Sequence, residues 1–283
     1  MTGTTGGEED EAERAALRCA LNELDERLAT GAERVPGAHL LFKPLVEQLR
    51  TPAAAFLRPE LEQRLARHVA ADDSFARDQI AHALAGTCGR GALPALLRAM
   101  VTDRNDDGDR LQLDVLELFE EWPETALSLS LDCAASDDPG TRRVGLWGLS
   151  IIDFGGTKYF GLVADAASDP DPKVRADVMC TLGTIFGTGD PPRARAILIA
   201  GTCDAAPEVR CAAVAALYSS RDEKITDILV ARASDADRWV RYWAAWSLAR
   251  RPAPQAHAAL KRLTTDEDAD VRDAARQALA QPT

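Results

Sequence analysis

No stretch of the 283-residue chain approaches the roughly 18 consecutive apolar residues of a membrane-crossing helix, so no transmembrane span is expected. A secretory signal is missing too: residues 1–30 carry eight acidic and three basic side chains where such a signal would be basic and then apolar. These absences point to a soluble, cytoplasmic protein. Histidine is scarce. The four present, His39, His68, His82 and His257, form no His-Glu or His-x-x-x-His pair, which removes the usual helical metal site. Six cysteines (Cys19, Cys88, Cys133, Cys180, Cys203, Cys211) are scattered without Cys-x-x-Cys spacing, so neither a zinc site nor a disulfide framework is indicated and free thiols are expected. Basic residues are outnumbered, 33 Lys and Arg against 45 Asp and Glu, a net charge of -12. A phosphate-backbone ligand needs clustered cations to displace counterions, so nucleic acid is not expected as a partner. No nucleophile and base recur at a defined spacing, and neither a catalytic residue nor a cofactor is expected.

What the chain does have is a repeat. Residues 169 to 182 are its clearest copy, and anchoring on Arg175 finds equivalents at Arg77, Arg110, Arg142, Arg210, Arg241 and Arg272, separated by 31 to 35 residues. A leucine follows seven positions later at Leu84, Leu149, Leu182, Leu217, Leu248 and Leu279. An acid precedes the arginine by four at Asp73, Asp106, Asp138, Asp171, Asp237 and Asp268. Self-similarity at this period signals stacked repeats.

Each copy carries a helix-start signal. Asp171 stands where an N-cap carboxylate accepts from first-turn amides, and Pro172 follows at the first helical position, where a missing N–H costs nothing. Pro139 and Pro207 occupy the same slot. Val174, Val178 and Leu182 then form an i, i+4, i+8 stripe that must be buried. A second amphipathic segment precedes each copy, such as 158–167 or 222–233, so the unit reads as a helical hairpin. The acids six before the arginine (Asp169, Asp204, Asp235, Asp266) fall in the turn between the helices, placed to accept charge-assisted bonds that tie unit to unit. These arginines are read as structural.

The pattern Asp-x-x-x-x-Val-Arg followed by small residues and Ala-Leu, as in 266–279 and 235–248, resembles the HEAT repeat, especially the short bacterial HEAT-like form of the phycobilin-lyase type. The resemblance covers about 59 to 280 and is weakest at Arg110, where Glu117 replaces the leucine and the register can slip. It implies an all-α fold, a right-handed α-solenoid of about seven hairpins whose second helices line a concave face. It implies no activity: members mostly bind proteins, and only some are enzymes. The iron-binding HEAT-repeat hydroxylases are set apart by His-Glu motifs that this chain lacks.

In chain order, residues 1–7 are expected to be a disordered tail. Residues 8–58 form capping helices, the first from Glu8 to Thr30 with Gly31 as its stop, the second about 37–50 with Pro44 blurring its start. Residues 59–283 form the repeat solenoid, continuous with the cap as one structural domain, with hairpins at 59–86, 90–120, 123–152, 157–186, 191–219, 222–250 and 254–280. Two connections are long, Thr102 to Gly108 and Gly187 to Pro192. The first is acidic (Asp103, Asn105, Asp106, Asp107) but lacks the spacing of a calcium loop, and no metal is expected.

A ligand is expected on the face opposite the buried stripe, at positions one, two and five after the arginine. Trp239, Trp243 and Trp246 follow i, i+4, i+7 on one helix with Tyr242 beside them, four of the chain's eight Trp and Tyr residues. Arg143 and Trp147 stand opposite, with Asp177 between, and Ala176, Cys180, Cys211, Ala212 and Ala215 make a floor of small residues. Exposed aromatics dominate binding hot spots, whereas buried ones are core. The expectation is a non-catalytic scaffold or adaptor binding a protein or peptide in this concave groove. The alternative is an enzyme on the same scaffold, with glycosylase-like or lyase-like groove chemistry.

Overall fold

A computed structural model describes residues 5–30, 39–102, 110–154, 158–184, 192–220 and 222–280. Residues 1–4, Gly31, Asp103 to Gly108 and 187–191, on which some of these expectations fall, lie outside the described residues. Among the described residues the secondary structure is helical throughout, with no strand. The chain divides into two compact units, residues 1–129 and 130–283.

The first unit opens with α1 (Thr5–Ala29) and α2 (His39–Leu49), followed by a 3-10 segment, Pro52–Leu57. α1 starts three residues before the expected Glu8, taking in part of the stretch read as disordered. The acid run that begins at Glu8 favours a helix N-terminus here through the helix dipole. Pro44 sits inside α2. Leu17, Leu21, Leu24 and Leu28 of α1 and Phe42, Val46 and Leu49 of α2 are buried, and Phe42 meets Phe75 edge-on at 5.4 Å. The hairpins α3/α4 (Arg58–Ala70, Ser74–Cys88) and α5/α6 (Leu93–Met100, Arg110–Glu121) follow, with α2 packed on α4 and α4 on α6. α4 closes at Gly89, whose φ of +49° lies where only glycine sits without strain.

α7 (Pro123–Ala134) pairs in sequence with α8 (Pro139–Ile152). Then come α9/α10 (Phe160–Asp165, Pro172–Thr184), α11/α12 (Pro192–Gly201, Pro207–Ala216), α13/α14 (Ile225–Arg232, Arg238–Ala249) and α15/α16 (Pro254–Leu263, Ala269–Ala280). All seven expected hairpins are present, and the fold is an all-α repeat solenoid. The starts follow the sequence signals: Pro139, Pro172 and Pro207 open α8, α10 and α12. Asp138 accepts from Thr141 N at 2.7 Å, Asp171 from Lys173 N at 2.8 Å, and Asp237 from Trp239 N at 2.9 Å.

In the second unit the later helix of each hairpin packs on the next, α8 on α10, α10 on α12, α12 on α14 and α14 on α16. Val174, Val178 and Leu182 are buried as the stripe requires, each worth about 1.5–3 kcal/mol of apolar burial. Small residues set the spacing. A Cβ on Gly183 would come within 2.5 Å of Ala216 Cβ, and one on Gly145 within 2.2 Å of the Ala134 backbone nitrogen, so these helices touch backbone to backbone.

The repeat arginines make a ladder. Arg142 binds Asp169 through Nε and Nη2, both at 2.8 Å, while its Nη1 donates to the carbonyls of Ser136 and Asp137. Arg175 repeats this on Asp204, Arg210 on Asp235 and Arg241 on Asp266. Each arginine thus holds its own turn with one nitrogen and the next hairpin's turn with two. Each aspartate also accepts the amide two residues on, as Asp204 does from Ala206 N at 2.8 Å. The Arg175 bond holds the Asp204 carboxyl below the usual carboxylate range. At Asp169, Asp235 and Asp266 burial pushes the carboxyl up, but the arginine and amide bonds together outweigh it and the net direction is down.

Candidate functional site

The second unit presents a groove of about 470 Å³ across α10, α12 and α14. Its floor is Cys180, Cys211, Ala212 and Ala215, its wall Trp239 and Trp243, and its rim Pro207, Glu208 and Asp237. Small side chains leave the trough open and apolar. The ladder holds it in shape, because Arg175, Arg210 and Arg241 lock the turns from which α12, α14 and α16 start.

The wall is built around Tyr242. Trp239 and Trp243 each meet it edge-on with centroids 5.6 Å apart, and Trp246 does so at 6.4 Å. The four rings divide between two roles. Tyr242 and Trp246 are half-buried and packed against the core of the second unit, whereas Trp239 and Trp243 are 43% and 37% exposed. The Arg238 guanidinium lies 4.7 Å from the centre of the Trp239 ring and reaches Asp268 at 3.2 Å. Among the described residues no cation lies over Trp243.

The remaining sequence candidates stand elsewhere. Arg143 and Asp177 form an ion pair across α8 and α10, Nε to Oδ2 at 2.6 Å, so each neutralises the other. Trp147, on α8, is half-buried. None of these three lines the groove, and Ala176 packs against the core. Two rim residues escaped the sequence reading. Glu208 is the first-turn acid of α12 and is exposed, with no ion pair among the described residues. Asp237 was recognised only as a cap. Its Oδ1 accepts both Trp239 N and Val240 N, its Oδ2 has no hydrogen bond among the described residues, and the residue lines the groove.

Chemistry on the floor is not activated. Burial, then the Asp237 carboxylate and the neighbouring Cys180, pushes the Cys211 thiol up to about 11, so it stays protonated at neutral pH and is a poor nucleophile. Among the described residues no three His, Cys, Asp or Glu side chains group as metal ligands. No described helix is long and apolar enough to cross a membrane.

Residues 196–280, which contain two of the three helices lining the groove, match the family model of HEAT repeats. This stretch of the chain is made of HEAT repeats. Among solved structures, YibA of E. coli is similar at 15% identity over 95% of this chain and 97% of that one, with a TM-score of 0.50, a likeness of fold alone. An engineered protein is similar at 16% identity over 78% of this chain and 95% of that one, with a TM-score of 0.43. No curated protein matches the sequence.

Proposed function

We propose that this chain is a non-catalytic binding scaffold that takes a protein or peptide segment in the groove on α10, α12 and α14. The observation that carries the reading is the exposure of Trp239 and Trp243 beside a floor of small residues. Two large aromatics left in water next to an apolar trough favour occupation by a partner, because burying them on association is favourable and such side chains dominate hot spots. Tyr242 and Trp246 serve as the support that holds the exposed rings upright. Arg143, Asp177 and Trp147 lie outside the groove lining, and an extended partner running past α10 would meet them at its far end. HEAT and armadillo-like repeat folds commonly mediate protein binding, which agrees with this role. The high Cys211 pKa favours binding over nucleophilic groove chemistry.

The test is a matched pair of affinity captures, one with the native protein and one with Trp239→Ala/Trp243→Ala. A partner retained by the first and lost by the second, at unchanged helical content, supports the groove. Equal retention by both places the binding surface elsewhere and removes the proposal.

A further inference from the structure

The groove lining carries two carboxylates, Glu208 and Asp237, and not one lysine or arginine. Both acids belong to helix starts, Glu208 to the first turn of α12 and Asp237 to the cap of α14, so they stand at the same end of two neighbouring second helices. Asp237 has an oxygen to spare and Glu208 is not engaged in an ion pair among the described residues. Trp239 follows Asp237 by two residues, and the protein itself already places one guanidinium, that of Arg238, against this ring. The acids' end of the groove is therefore suited to a cation. At the other end Trp243, Ala212 and Ala215 offer only apolar surface.

We infer that the partner segment presents a lysine or arginine at the Glu208/Asp237/Trp239 end of the groove and an apolar side chain against Trp243. This deepens the groove reading above and rests on it. Charge complementarity selects the occupant: a cation gains from two carboxylates, the Arg238 guanidinium being already drawn to Asp268, while an anion there would meet like charge inside a chain of net charge -12. The start of α12 has no side-chain cap, and that would attract an anion, but the Glu208 carboxylate already occupies its first turn. Geometry fixes the spacing. Trp239 and Trp243 are one helical turn apart, about 6 Å along the axis, and alternate side chains of an extended peptide are about 6.6 Å apart on one face. The two anchors are thus i and i+2 of an extended segment, a cationic residue and an apolar one separated by a single outward-facing residue.

The probes are three blocked peptides of equal length, built on repeats of Lys-Ser-Leu-Ser, Gln-Ser-Leu-Ser and Glu-Ser-Leu-Ser and titrated by tryptophan fluorescence at low and moderate salt. The lysine peptide should bind most tightly, and Glu208→Gln with Asp237→Asn should weaken it about fivefold or more, the equivalent of losing one charge-assisted contact. Asn retains the α14 cap, so helix start is not disturbed. Asp227→Asn, the loss of one charge at an exposed position on α13 against the two lost at the rim, controls for the overall field and should have little effect. Trp243→Ala should weaken the lysine and glutamine peptides alike. Equal binding of the lysine and glutamine peptides, or equal loss on Asp227→Asn and on the rim variants, overturns the cationic anchor and leaves the groove in place. Failure of all three peptides to bind, or binding indifferent to Trp243→Ala, overturns the anchor and removes its foundation as well.

Discussion

The same repeat position does different work in the two units. In the second unit four successive arginines, Arg142, Arg175, Arg210 and Arg241, each clasp the aspartate six positions before the next arginine. In the first unit the corresponding acid is missing: Ala71 stands six before Arg77 and Arg104 six before Arg110. Among the described residues Arg77 holds its neighbour, with Nε and Nη2 both on Asp78 Oδ1 at 3.0 and 2.9 Å. Arg110 joins a cluster in which it and His82 both bind Asp114 Oδ1, with Arg50 also against the His82 ring. Asp114 is fully buried and its Oδ2 has no hydrogen-bond partner. A carboxylate satisfied on both oxygens by a fork and an amide stabilises its surroundings, while one left half-satisfied in the interior offsets much of its own gain.

The largest effect should come from cutting the ladder at its most buried aspartate. Asp235→Ala leaves the Arg210 fork and the Asp237 amide without acceptors, and should cost the second unit about 3 kcal/mol or more, read as a shift in the denaturant midpoint of its unfolding. Asp114→Ala in the first unit should cost only about 1 kcal/mol, since it also removes an orphaned oxygen and leaves a partly exposed Arg110. Comparable losses from the two substitutions would erase the distinction between the units.

Acid should sharpen the contrast. The ladder carboxyls titrate lower in the folded chain than in the unfolded one, so their contribution is complete above the unfolded value of about 4 and is lost as pH falls below it through the folded values. Between neutrality and about pH 4.5 the melting temperature of the second unit should be steady with respect to these groups. Below about pH 4 it should fall, and less steeply in Asp235→Ala than in the native chain. Parallel acid curves would show that the ladder contributes nothing to stability.

The smallest effect concerns the start of the ladder. Ser136 occupies the acid position before Arg142, and its Oγ already accepts the Asp138 amide at 3.2 Å, as the ladder aspartates do two residues on. Ser136→Asp should keep that turn bond and change stability by no more than about 0.5 kcal/mol, the range of surface substitutions. A gain of 2 kcal/mol or so, the scale of a charge-assisted pair, would mean that an acid at this position finds a cationic partner of its own.

Much of this architecture was legible in the chain. Proline after a capping aspartate, a leucine seven beyond the arginine and an acid six before it each state a local or nearest-neighbour rule, and a solenoid is assembled from such rules. The reading slipped at Arg110. The buried apolar residues of α6 are Leu111, Val115, Leu118 and Phe119, so the first follows its arginine by one, whereas Val174 precedes Arg175 by one. Leu111 and Val115, expected on the ligand face, are core as a result. Leu113, three after its arginine where Val178 stands in α10, is exposed instead, while Leu118 and Phe119 are both buried. The aromatic face was legible to the same depth. Helical spacing shows that Trp239, Trp243 and Trp246 share a side, but not how far the neighbouring helices cover each of them. Glu208 was missed because its place on the rim depends on α12 lying beside α14, which no spacing within α12 reports.

Whether the tryptophan wall is surface or core is measured directly by thermal unfolding of two variants. Trp239→Ala/Trp243→Ala removes the exposed pair and should lower stability by no more than about 1 kcal/mol in total, within the range of surface substitutions. Trp246→Ala removes a ring packed against the core and should cost about 3 kcal/mol. A small loss in the first and a large one in the second is the result expected of a binding wall standing on a structural support. A double variant that melts as low as Trp246→Ala, or lower, would make the whole cluster core and contradict the groove.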